Sequence, residues 1–393
     1  RPPPPASPLR RTARGTTRRA PRPRADPTTM TSPATAATTA GVPGGTAPAA
    51  SDRDDRSAGV ARTNAGRSLG LVVALAVLVL AIVLSLVVGS KPVPLGTVWD
   101  ALTGYDGSGD HVIIRDLRLP RTVVGLLVGT ALGVSGALIQ AMTRNPLADP
   151  GILGVNAGAA FAVVLAVAFL GLTDIGSFIW FAFAGAVVAT VAVYAIGSQG
   201  RGGATPVRLT LAGVALGAVL GGVSQGITLL DPAAFDRMRF WGAGSLAGRT
   251  MEMAGTIAPF VVVGLVLALV VARPLNTVAL GDDLASSLGA HVGRTRVLVG
   301  VAVMLLCGAA TAAAGPIAFV GLMVPHVARW TVGPDQRWIL PYSAVLAPVL
   351  LLVSDVVGRV VVMPGELQVG IVTAFVGAPV LIALVRRSKA SGL

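Results

Sequence analysis

Residues 69–89 read LGLVVALAVLVLAIVLSLVVG, 21 positions without one charged side chain. Wound as an α-helix the run is about 31 Å long, which matches the hydrocarbon thickness of a bilayer. Segments of the same kind recur near 122–142, 153–172, 177–197, 208–230, 254–273, 297–314, 317–330, 339–360 and 368–386, separated by short polar or Gly/Pro-rich breaks. Only helices satisfy their backbone polar groups inside each segment in hydrocarbon. The predicted fold class is therefore an all-α integral membrane protein with about ten transmembrane helices. The weakest of the ten is 317–330, which is short, follows Gly315-Pro316 and carries Pro325.

Composition excludes a soluble alternative. Hydrophobic residues make up 53% of the 393 residues and charged ones 12%, against about 25% charged in a soluble domain. Eight of the thirteen net positive charges belong to the first 68 residues, which hold 12 Arg and 4 Asp amid Pro, Thr and Ala. Such a stretch buries too little to offset the entropy of ordering, so 1–68 is predicted to be a disordered tail and 69–388 the membrane domain. Met30 is a candidate start, which would leave 1–29 untranslated, and no signal-peptide pattern precedes the first span. The basic residues are not interleaved with aromatics in a folded polar domain, so nucleic acid is not an expected partner. The single Cys307 lies in an apolar run, and His111, His291 and His326 are scattered, so no metal site is expected.

Lys and Arg set the orientation. With the tail inside, inner segments carry 23 of the 31 Lys+Arg, and an even number of crossings puts both termini in the cytoplasm.

Two helices carry glycines at four-residue spacing, Gly125, Gly129 and Gly133 followed by Gly136, and Gly213, Gly217 and Gly221. Small residues on one face let helices approach closely in lipid. Lining of a pathway by Gly129, Gly133, Gly213 and Gly217 is the sharper alternative. Apart from terminal residues, the only Asp, Glu, Lys or Arg in the nine longer spans are Asp355 and Arg359, four residues apart and so able to pair on one helix face. Ion-coupled transporters place acidic or His groups near the midplane, so coupling to an ion gradient is not expected here. A phosphate-binding G-x-x-x-x-G-K-[ST] loop is also missing, since Lys91 and Lys389, the only lysines, stand in no such context. Any ATP and Mg chemistry is assigned to a separate subunit, and this chain is expected to hold no cofactor and to catalyse no reaction.

Several strings together carry a family resemblance. They are Arg118-Leu119-Pro120-Arg121, Gly133-Val134-Ser135-Gly136-Ala137-Leu138-Ile139-Gln140, Arg144-Asn145-Pro146-Leu147-Ala148-Asp149-Pro150, Trp241-Gly242-Ala243-Gly244-Ser245-Leu246, Leu275 through Gly281, Gly315-Pro316-Ile317-Ala318-Phe319-Val320-Gly321 and Gly365-Glu366-Leu367-Gln368-Val369-Gly370. In this order over 69–388 the chain resembles the iron-siderophore permease (FecCD) family, to which the cobalamin importer permease belongs. Gln368 stands where that family usually has Pro.

The resemblance implies two inverted halves, the second to fifth and seventh to tenth helices. It implies a pathway shared with a second permease copy, identical or similar, together with cytoplasmic ATPase subunits, an extracellular solute-binding protein and a metal-chelate substrate at the bacterial cell membrane. Gly281, Asp282, Asp283, Ala285, Ser286, Ser287, Leu288 and Gly289 would form the short helical loop that couples to the ATPase; a solvated, capped turn is the plainer alternative. Arg118, Arg121 and Arg359 match positions that relatives use to hold glutamates of the binding protein, a role suited to a planar fork. Thr205, Pro206 and Val207 fall where relatives narrow the inner end of the pathway with small hydroxyl residues, and only Thr205 keeps that character. The expected function is the permease of an ATP-driven importer of iron-siderophore or a similar chelate, with cobalamin or haem as alternative cargo and an ion-coupled secondary transporter as the rival class.

Overall fold

The computed structural model describes residues 61, 63–172, 175–199 and 205–390, all within one compact unit, Ala50–Leu393. The predicted disordered tail lies outside the described residues up to 60 and at 62. Its boundary is corrected, because helix α1 spans Asn64–Val87 and so takes in 64–68. A local cap is the reason: the Thr63 Oγ1 accepts from the Gly66 N–H at 3.1 Å, and Tyr342 Oη donates to the Arg67 carbonyl at 2.6 Å. These bonds start the helix before apolar residues do.

All ten predicted segments are helical. They are α1, α2 (Leu119–Thr143), α3 (Val155–Leu170), α4 (Ile175–Gly197), α5 (Pro206–Leu230), α6 (Met251–Val278), α7 (Val292–Ala314), α8 (Val320–Val332), α9 (Gln336–Val361) and α10 (Val369–Ala390). Among the described residues, seven helices are long and apolar enough to cross a membrane, those of α1, α2, α4, α5, α6, α7 and α9. Shorter helices at Leu95–Thr103 and Pro232–Trp241 join the spans, and Gly109–Val112 runs through a π-helical turn, Ile113–Arg118, into α2.

Two of the ten are short, and they hold equivalent places. Helix α3 has 16 residues and follows a 3-10 turn, Pro150–Leu153, closed by Gly154 at φ +78°; α8 has 13 and follows a non-helical stretch between Gly315 at φ +76° and Phe319 at φ +69°. The late start of α8 shortens the predicted 317–330. The pair is offset by five helices, and packing repeats with the same offset: α2 lies on α9 as α7 lies on α4, α2 touches α8 as α7 touches α3, and α3–α4–α5 contacts recur as α8–α9–α10. Successive crossings alternate in direction, so halves offset by five are inverted.

Helix α2 is the centre of the bundle, and its glycines set how closely its neighbours come. A Cβ on Gly129 would stand 2.6 Å from Pro348 Cα of α9, and one on Gly133 2.5 Å from Ala347 Cβ. At Gly136 the clash would be with the Gly321 carbonyl of α8, at 1.9 Å. In hydrocarbon such close packing substitutes for the hydrophobic drive between helices.

Candidate functional site

The first site grows from the C-terminus of α1. A helix end leaves its last carbonyls without intrahelical partners, and α1 ends among apolar neighbours where water is scarce. Two arginines from elsewhere in the chain supply the donors. Arg118 Nη1 donates to the Leu86 and Val87 carbonyls at 2.6 and 2.7 Å, and its Nη2 to the Lys91 carbonyl. Arg359 Nη1 donates to the carbonyls of Ser85 and Val88 at 2.9 and 3.0 Å. Cations at this pole also suit the partial negative charge of the helix terminus.

Arg121, one turn into α2, points across to α9. Its Nε and Nη2 form a fork on the two oxygens of Asp355, at 2.9 and 2.8 Å, and its Nη1 reaches Glu366 Oε2 at 2.9 Å. Asp355 also pairs with Arg359 at 3.1 Å, the contact that the four-residue spacing predicts. One buried carboxylate thus holds two guanidiniums, and bidentate geometry is the strong form of that bond. Arg118, Arg121 and Arg359 are 6%, 9% and 3% exposed, and the donors that form bonds are turned onto their own chain, with Arg359 Nε buried and without a partner among the described residues. They still border a cavity of about 540 Å³, shared with Lys91, Arg249 and Glu366. The sequence reading missed Glu366 and Arg249 as members, and it missed Asp355 as the partner of Arg121, 234 positions away; no periodicity links them.

The second site lies at the other end of the bundle, between α6 and α7. Gly281, at φ +112°, turns the chain into the helix Asp282–Ser287, and Gly289, at φ +81°, turns it out. Asp282 is tied on both sides, to Arg144 at the C-cap of α2 and to Arg296 of α7, the latter at 2.7 Å. Ser286 and Ser287 donate to backbone carbonyls within the turn, Asp283 lies in the first turn, and Ala285 is buried. Among exposed Asp283, Ser286 and Ser287, the turn also presents leucines outward: Leu284 is 49% and Leu288 61% exposed, with Leu280 beside them. Leu284 was not among the predicted loop residues, although its place one turn before Leu288 is a readable signal.

The pathway candidates divide. Gly129 and Gly133 are enclosed by α9, as described, so their space is used for packing within the chain. Gly213 is likewise filled, since a Cβ there would lie 1.7 Å from the Ile152 carbonyl. Gly217 meets only Ala157 at 3.7 Å and Gly221 meets nothing within 4 Å. On the same helix Leu211, Val214 and Val219 are exposed, and so is Phe375 on α10. Of the gate residues, Thr205 uses its hydroxyl to cap α5, accepting from the Arg208 N–H at 3.4 Å. Pro206 occupies the first helical position and Val207 is exposed.

Comparison with known proteins adds four matches. The model of the FecCD transport family matches residues 77–387. The ferric enterobactin transport system permease protein FepD of Escherichia coli (strain K12) is 52% identical over 318 residues, covering 81% of this chain and 95% of that protein. The Fe(3+)-citrate import system permease protein YfmD of Bacillus subtilis (strain 168) is 41% identical, covering 84% and 97% respectively. Among solved structures, an inward-facing metal-chelate type ABC transporter superposes with a TM-score of 0.71 at 25% identity, over 81% of this chain and 99% of that one.

Proposed function

The chain belongs to the FecCD transport family, and from that membership we propose that it is the transmembrane permease subunit of an ATP-binding-cassette importer that carries iron-siderophore or a similar metal chelate. The match to the ferric enterobactin permease along almost its whole length carries this reading. Ten helices in two offset halves supply the scaffold that alternating access needs.

The partners follow from what each surface leaves unsatisfied. The Asp282–Ser287 turn carries exposed Leu284 and Leu288 on a polar, tethered base, which fits a groove on a cytoplasmic ATPase; closure of two ATPases on ATP would move the turn and, through Arg144 and Arg296, the ends of α2 and α7. The arginine end faces outward in the orientation that Lys and Arg favour, with both termini in the cytoplasm of a bacterial cell. There a loaded solute-binding protein would dock over Arg118, Arg121 and Arg359, and its acidic side chains would compete with Glu366 rather than meet free guanidiniums. The exposed apolar sides of α5 and α10 fit a second permease copy, with the cargo passing between the two. Gly217, Gly221 and Val207 are then the residues nearest that passage.

The test is transport by the complete assembly in proteoliposomes. Ferric siderophore uptake should stop without ATP and continue after proton and sodium gradients are collapsed. Uphill accumulation by this chain alone, driven by either gradient, would refute the proposal.

A further inference from the structure

Four arginines at the Asp282 end of the bundle have an acceptor in their own chain: Arg144 and Arg296 share Asp282, Arg329 reaches Gln140 and Arg337 pairs with Asp335. Arg273, near the end of α6, and Arg294, in the first turn of α7, do not. Both are exposed, and neither has an ion pair or a side-chain hydrogen bond among the described residues. They come from different helices, yet they line one cavity of about 450 Å³ together with His291, Val270, Pro274 and Leu298. Among the described residues, no carboxylate lines it.

Their placement on the helices says what surrounds them. On α6 the exposed residues Val262, Val266, Leu269 and Val270 recur at helical spacing on one face, and Arg273 is the next member of that series. In a crossing helix such a face meets acyl chains. A cation that ends it lies at headgroup depth, with its stem along the apolar surface. On α7, Arg294 is followed one turn later by exposed Val297, which with Val191, Val301 and Met304 borders an apolar cavity of about 270 Å³ between α4 and α7.

We propose that the cavity between α6 and α7 is a site for the phosphate of an anionic phospholipid, held by Arg273 and Arg294, with its acyl chains along the apolar face of α6 and at the neighbouring cavity. Guanidinium forks match phosphate oxygens, and a basic pocket between spans suits an anionic headgroup. A lone snorkelling arginine meets any headgroup. Two that converge on one cavity select a lipid of net negative charge, because the choline of a zwitterionic lipid would bring a further cation among cations. An acidic surface of the ATPase fits less well, since Arg273 continues a lipid-facing stripe instead of projecting from the turn as Leu284 does. The site requires only that α6 and α7 cross a bilayer, so its failure would leave the transport reading untouched.

The experiment is native mass spectrometry of the full-length protein released from micelles that hold equal amounts of dioleoylphosphatidylglycerol and dioleoylphosphatidylcholine. The phosphatidylglycerol should be retained in preference by about fivefold or more, the contribution of one cation at an anionic lipid surface. Arg273→Gln with Arg294→Gln should remove the preference, and Arg239→Gln, exposed at the opposite end, should keep it. If the double variant does not fold, each single substitution should lower the preference when read alone. Excess inorganic phosphate should not displace the lipid, because the acyl chains add burial that a free anion lacks; displacement would assign a free-anion site and overturn the lipid reading. Equal retention of the two lipids, or a preference undiminished in the variants, would overturn it as well. Loss of ATPase association in the double variant with the lipid preference intact would give the two arginines to that partner instead.

Discussion

The two ends of the bundle solve opposite problems. At the arginine end, Arg118, Arg121 and Arg359 are sunk into the protein and bonded there, on Asp355, Glu366 and the final carbonyls of α1. At the Asp282 end the charges are near the surface, and leucines project from them. A buried polar network that is complete becomes part of the framework, and losing one member strands the rest. An exposed apolar pair contributes nothing to its own fold and gains only when something covers it. The first end should therefore respond to substitution in stability, the second in association.

The largest effect should come from Asp355→Ala, which leaves Arg121 and Arg359 buried without their shared carboxylate. Removing one partner of a buried pair costs about 3–5 kcal/mol, to be read as loss of folded protein or a steep fall in Tm. A variant as stable as the parent would mean that these arginines are free to turn outward, and the contrast between the ends would dissolve. Gly133→Leu tests the span that joins them: with Ala347 Cβ 2.5 Å from the added Cβ, overpacking should cost about 1–3 kcal/mol, again measured as Tm. At the far end, Leu284→Glu with Leu288→Ser should leave Tm unchanged and weaken ATPase binding at least tenfold, about 1.4 kcal/mol; an equal fall in Tm would assign these leucines to the fold instead. Smallest of all, Asp282→Asn loses two half-exposed ion pairs, so unfolding should move by no more than about 1 kcal/mol. A larger shift would make the turn a structural element like the arginine cluster.

The helices were legible because burial in lipid is a local requirement. Each span must be apolar and long enough by itself, so all ten could be placed before any contact was known, whereas the helix between Gly281 and Gly289 was expected only through the family resemblance, its own spacing fitting a capped turn as well. Positions 64–68 were misread since a hydroxyl cap and a bond to Tyr342 begin α1, and neither changes hydropathy. The glycine spacing announced tight packing without saying against what. Nothing near Gly129 in sequence names Pro348.

By itself, then, the sequence determined where the helices lie, a property that sums over neighbouring residues, and the motifs it carries identified the family and, by resemblance, the offset halves. Only the tertiary structure decided that Arg118 and Arg359 finish a helix from another part of the chain, that Arg121 is spent on Asp355, and that Nη1 of the buried Arg249 has no hydrogen-bond partner among the described residues. A side chain's charge is written at its own position, but its partner is set by which helix ends the packing brings together. That juxtaposition exists only after ten helices have closed on one another.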